Sequence, residues 1–153
     1  MFGFSSKKEK AKKKLAKSHI NSLYEMLLAD GKTHQNELKM LHERAKFHKL
    51  TPKEVDEIIA NNDGISANKE DLSFIKPETI EERFHFIYDL TYMMMVDGDI
   101  DYREKEMCKD YAVKLGYDMS IVEDLVEKIS ANVGAGNDLN ESYRRLYSLI
   151  REK

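Results

Sequence analysis

Apolar residues recur along this chain at intervals of three and four, and almost nowhere do they alternate with polar ones. Leu15, Ile20, Leu23 and Leu27 fall on one helical face, and so do Leu38, Leu41 and Ala45. Ile80, Phe84, Ile87, Thr91 and Met94 repeat the pattern, followed by Met107, Cys108, Tyr111, Ala112 and Leu115. Two more stripes run through Ile121, Val122, Leu125, Val126 and Ile129, and through Leu139, Tyr143, Leu146 and Ile150. Each stripe is a face that other helices must cover. Thr51-Pro52-Lys53-Glu54 carries a capping threonine, a proline at the first helical position and a glutamate suited to a capping box. Ser120 to Glu123 and Asp138 to Glu141 show the same capping spacing, while NNDGIS (61–66) and NVGAGN (132–137) read as turns. The pattern predicts an all-α helical bundle of about seven or eight helices with short connections.

Part of the pattern occurs twice. Ile20, Leu23, Asp30-Gly31, Glu37, Met40, Ala45 and Val55 reappear 67 positions later as Ile87, Leu90, Asp97-Gly98, Glu104, Met107, Ala112 and Val122. Each copy reads as an apolar helix, a DG turn, a helix with a glutamate near its start and a further capped helix. Two copies predict an internal duplication of helix-DG-turn-helix units within one bundle, not a solenoid.

The second turn lies in MMMVDGDIDYRE, residues 93–104. With Gly98 in the sixth place of an EF-hand loop, Asp97, Ile100, Asp101 and Glu104 all take fitting places. Met93 and Met95 stand where the first carboxylates belong, so only the second half of a calcium loop is present and MMMV reads as helix and core. In the first copy Asp30, Gly31 and Glu37 fit, and Met26, Leu28 and His34 replace other ligands. The candidate metal ligands are Asp97, Asp101 and Glu104, with Asp30 and Glu37 in the first copy. Gly31 and Gly98 are the turn glycines. A purely structural reading stands beside this one: Gly98 ends one helix, and Asp101 with Glu104 caps the next. Asp97 is the residue that this reading leaves at a negative helix C-terminus.

LLADGKTHQNELKML and MMVDGDIDYREKEMCKDYAVKLGY resemble the paired segments of the TerB-like helical domain family, that of the tellurite-resistance protein TerB and of DjlA. The resemblance spans roughly residues 15–150. It implies an all-α fold with two pseudo-symmetric halves, weak calcium or other divalent-cation binding at the acidic turns, and no catalysis. It further implies protein partners, a cytoplasmic stress-response role of the tellurite-resistance type, and assembly at the inner membrane face.

Charge adds one feature. Net charge is −3, yet residues 1–19 hold seven lysines and one glutamate. Lys7, Lys8, Lys10, Lys12, Lys13, Lys14 and Lys17 mark a basic arm, placed at 1–14, before a helical domain at 15–153. The alternative reading is a metal-independent adaptor that docks through this arm on an anionic membrane surface or a protein; nucleic acid is the less expected partner. No run of eighteen apolar residues occurs, so no membrane-spanning helix is expected. The single cysteine, Cys108, lies on an apolar stripe, where a thiol is usually inert packing. The histidines 19, 34, 42, 48 and 85 do not repeat the i, i+4 pairing of a zinc helix, and a histidine zinc site is not expected. No nucleophile elbow, phosphate loop or dinucleotide fingerprint is present. The expected function is a non-enzymatic binding module.

Overall fold

The computed structural model describes residues 2–29, 35–64, 70–96 and 100–151, with side chains from Lys7 onward. Seven helices occupy these residues: α1 (Phe2–Leu28), α2 (Gln35–Phe47), α3 (Pro52–Asn62), α4 (Ile80–Met95), α5 (Tyr102–Lys114), α6 (Met119–Gly134) and α7 (Leu139–Arg151). No strand occurs among the described residues.

The pivot is α4, which packs against α1, α2, α5, α6 and α7. Its periodic stripe understates its burial. Phe84, Phe86, Ile87, Tyr88, Leu90, Met93 and Met94 are all buried, while Ile80 at the start of the stripe is exposed. A helix surrounded on all sides must be apolar on all sides. Met93 and Met94 are core, Met95 ends the helix and Val96 caps it, and these last two pack on the core's edge.

Capping sets the helix starts. Thr51 and Glu54 form the full capping box of α3, and Asp101 and Glu104 form that of α5. Asp138 accepts from the Glu141 amide at 2.8 Å. The predicted cap at Ser120 is displaced: Asp118 caps α6, and Ser120 Oγ itself donates to the Asp118 carboxylate at 2.6 Å. The nearer carboxylate is the stronger acceptor, so the helix starts two residues early. Likewise α6 runs on through Val133 and Gly134, and its turn falls at Gly136, where φ is +83°.

One connection is not short. From Asp63 to Thr79 the chain is not helical among its described residues, and 70–77 has no regular structure. Polar residues of α1 pin it. Ser18 Oγ donates to the Ser73 carbonyl at 3.0 Å and accepts from the Ile75 amide at 3.0 Å, and Asn21 donates to the Leu72 carbonyl at 3.2 Å. Buried serine and asparagine on the core-facing side of α1 are thereby satisfied.

Helix ends repeat at one offset. α1 and α4 end at 28 and 95, α2 and α5 span 35–47 and 102–114, and α3 and α6 begin at 52 and 119, each pair 67 apart. The basic arm continues α1 without a break, and Lys7, Lys8, Lys10, Lys12, Lys13 and Lys14 are exposed. Lys13 pairs with Glu54 at 2.9 Å and Lys17 with Glu70 at 3.4 Å.

Candidate metal centre

Where α1, α2 and α4 meet, three imidazoles converge on one carboxylate oxygen. Asp89 sits in the middle of α4 and is fully buried. His85 lies one turn earlier on the same helix, so its imidazole stands over the same spot. His19 comes from α1. His48 follows the last residue of α2, in the turn that ends that helix. His19 Nε2 is 2.8 Å from Asp89 Oδ2, His85 Nε2 is 3.3 Å from it, and His48 Nε2 is 3.9 Å from it. The rings lie tilted or edge-on to one another, with centroids 4.6 Å (His19 and His48), 5.0 Å (His48 and His85) and 5.8 Å (His19 and His85) apart. Phe86 packs edge-on against His19, and the exposed ring of Phe47 covers both His48 and His85.

Only the His19 contact is a hydrogen bond. His48 Nε2, His85 Nε2 and Asp89 Oδ1 are buried with no hydrogen-bond partner among the described residues. Leaving a buried polar atom unsatisfied costs about 1–3 kcal/mol. The two imidazole nitrogens, both beside Asp89 Oδ2, call for a ligand that accepts their lone pairs at once. Arg44 Nε lies 3.4 Å from Asp89 Oδ1 and holds the far side of the carboxylate, while its guanidinium rests 5.3 Å over the Tyr92 ring.

The protonation states suit a cation. Burial lowers the His19 pKa to about 4, outweighing the hydrogen bond and charge of Asp89 that raise it. Burial works against the Asp89 charge, yet the hydrogen bond from His19 and the imidazoles of His48 and His85 hold its carboxyl well below the usual range. At neutral pH a neutral His19 therefore faces an ionised Asp89, the forms in which both groups ligate metals. Zinc arms of about 2.0–2.1 Å place tetrahedral donors roughly 3.3 Å apart. The three nitrogen–oxygen separations straddle that value, and the donor atoms of His19, His48 and Asp89 all lie within 4.8 Å of one another. Imidazole with one carboxylate suits zinc and its divalent neighbours, whereas calcium asks for oxygen ligands.

This group opens into a cleft of about 680 Å³ between the N-terminal half of α1, the turn after α2 and the start of α4. His19, His48 and His85 line it, together with Lys10, Lys12, Lys13 and Lys49.

The ligands expected from sequence lie elsewhere. Asp101 and Glu104 are brought together, but by the capping box: Asp101 Oδ1 accepts from the Arg103 amide at 2.7 Å, and Glu104 Oε1 accepts from the Asp101 amide at 3.4 Å. The Arg103 side chain also pairs with Asp101, and its hydrogen bonds hold that carboxyl below its ordinary range. Glu37 takes the matching place in α2, and both Glu37 and Glu104 are buried. Asp30, Gly31, His34, Asp97 and Gly98 lie outside the described residues. Burial pushes the Cys108 thiol up to about 12, so it is protonated and inert at neutral pH.

The spacing rule that argued against a histidine site looks only within one helix. Here the i, i+4 pair is His85 with Asp89, and the other two histidines arrive through packing. Among the described residues, no helix is long and apolar enough to cross a membrane. No protein family's sequence profile, no curated protein and no solved structure matches this chain at a significant level.

Proposed function

We propose that this chain is a non-enzymatic binding module that holds one divalent transition metal, zinc foremost, at His19, His48, His85 and Asp89. One observation carries the reading: three imidazole nitrogens and a carboxylate converge, and two of those nitrogens are buried without a hydrogen-bond partner among the described residues. Four protein donors suit the tetrahedral preference of zinc. The metal joins α1, α2 and α4, so loading couples directly to how these helices pack.

Calorimetric titration of the chelator-treated chain with zinc tests this. One equivalent should bind at micromolar concentration or below. His48→Gln, at the most exposed of the three histidines, should weaken binding by more than the roughly 10–100-fold that outer-shell changes cause. The absence of saturable binding, or wild-type affinity in His48→Gln and His85→Gln alike, contradicts the proposal.

The TerB-like resemblance of the two turn segments supports a stress-response interaction role with protein partners, and the constant offset of the helix ends supports an internal duplication. Weak calcium binding at the DG turns is a separate reading. Asp101 and Glu104 already accept from backbone amides at the start of α5, and calcium at tenfold its dissociation constant would add about 1.4 kcal/mol. Melting with and without millimolar calcium, in wild type and Asp97→Asn, decides it: no shift in the wild type leaves the turn purely structural.

A further inference from the structure

The turn after α2 holds an anomaly at the mouth of the cleft. Lys49 has φ of +65°, the only described non-glycine residue with positive φ. It closes α2: the Leu50 amide donates to the Ala45 carbonyl at 2.9 Å and the Lys49 amide to the Lys46 carbonyl at 2.9 Å. This is the left-handed helix stop that glycine usually supplies. The position 67 residues on is Gly116, with φ of +99°, and it closes α5 by the same pair of bonds, Tyr117 to Ala112 and Gly116 to Val113. The same backbone device thus uses glycine at one helix end and a strained lysine at the other. The strained lysine is next to His48 in sequence, and its side chain lines the cleft over the histidines.

The other charges of the cleft point the same way. Lys10, Lys12 and Lys49 have no ion-pair partner among the described residues, while Lys13 is held by Glu54. Against them stand Glu9 and Glu82, and Glu82 is engaged at the Thr79 cap of α4. A divalent ion below, neutralised once by Asp89, leaves the cleft positive. His48 and His85 are the members of the cluster that retain exposure toward it.

Resting on the metal reading above, we propose that the loaded site binds a phosphate-type oxyanion in this cleft. One oxygen meets the metal as a fifth ligand from the open side, and Lys49, with Lys10 and Lys12, neutralises the rest of its charge. No bond is made or broken in the anion. Zinc expands from four to five ligands in some sites that admit an exogenous oxygen, and lysine serves phosphate as a point charge.

The test uses the full chain loaded with cobalt(II), whose absorption changes when a fifth ligand enters, titrated with inorganic phosphate. We expect a saturable spectral change. Lys49→Gly should weaken phosphate binding by roughly fivefold, the worth of one partly exposed ion pair, with metal affinity unchanged. The same variant should melt at or above the wild-type temperature, because glycine relieves the left-handed backbone. A lysine kept only for the fold would show no loss of phosphate. A second arm uses phosphatidylglycerol vesicles with and without metal: metal-dependent and Lys49-dependent capture there, with free phosphate inert, identifies the anion as a lipid phosphate. If the metal binds in full yet neither source of phosphate changes the cobalt spectrum or depends on Lys49, the anion proposal falls while the metal site stands. If no metal binds, the metal reading itself has failed.

Discussion

Saturating zinc should raise the melting temperature of the chelator-treated protein by roughly 8–16 °C. A ligand present at about 1,000 times its dissociation constant stabilises the native state by about 4.1 kcal/mol. A domain of this size shifts by about 2–4 °C for each kcal/mol. The effect should be large because the site exists only in the folded chain. His19, His48 and Asp89 belong to three separate parts of the sequence, so the unfolded chain offers no comparable ligand set. Calcium at the same concentration should do far less, since imidazole is a poor ligand for it. Differential scanning with zinc, with calcium and with chelator reads all three; equal curves in zinc and in chelator would remove the metal from the account.

Asp89→Ala should destabilise the metal-free protein by about 3–5 kcal/mol and abolish the response to zinc. The carboxylate is fully buried, accepts a hydrogen bond from His19 at 2.8 Å and faces Arg44 at 3.4 Å. Removing one member of such a group leaves the others desolvated and unpaired, and this is what makes breaking a buried ion pair so costly. The loss is large against the 5–15 kcal/mol typical of a whole domain. Asp89→Asn keeps the shape and removes only the charge, so it should fold more readily and still bind zinc poorly. Urea unfolding measures the first effect and zinc titration the second. An Asp89→Ala protein as stable as wild type would show that the carboxylate is not the hub of this cluster.

Much of the architecture was legible in the sequence because it is local. Apolar spacing located six of the seven helices, the Thr51 cap located α3, and Asp101 and Asp138 marked further helix starts through contacts that reach three residues at most. Asp118 displaced Ser120 because its carboxylate takes both the amide and the hydroxyl of Ser120, a contest that spacing does not rank. The bundle's centre was harder to see: α4 is buried nearly all round, so its stripe was only the most regular part of a wider apolar surface.

The candidate site was barely legible, for a physical reason. Its donors come from residues 19, 48, 85 and 89, and only packing sets their separation. One signal was present nonetheless. Asp89 is the only charged residue in the run from Phe86 to Val96, and a carboxylate in such a setting is almost never buried without a partner. His85 one turn before it completes the hint. Ser18 and His19, polar residues inside the apolar face of α1, mark the surfaces that receive the 70–77 segment and the metal cluster.

X-ray absorption at the zinc edge on the loaded, full-length chain tests the central claim most directly, because it reads the atoms that hold the metal. The account predicts one zinc per chain, ringed by imidazole nitrogens from three histidines and one carboxylate oxygen at about 2.0–2.2 Å, with the imidazole signal falling by one ring in His85→Gln. A shell of oxygen alone, or a spectrum that His85→Gln leaves unchanged, would contradict it.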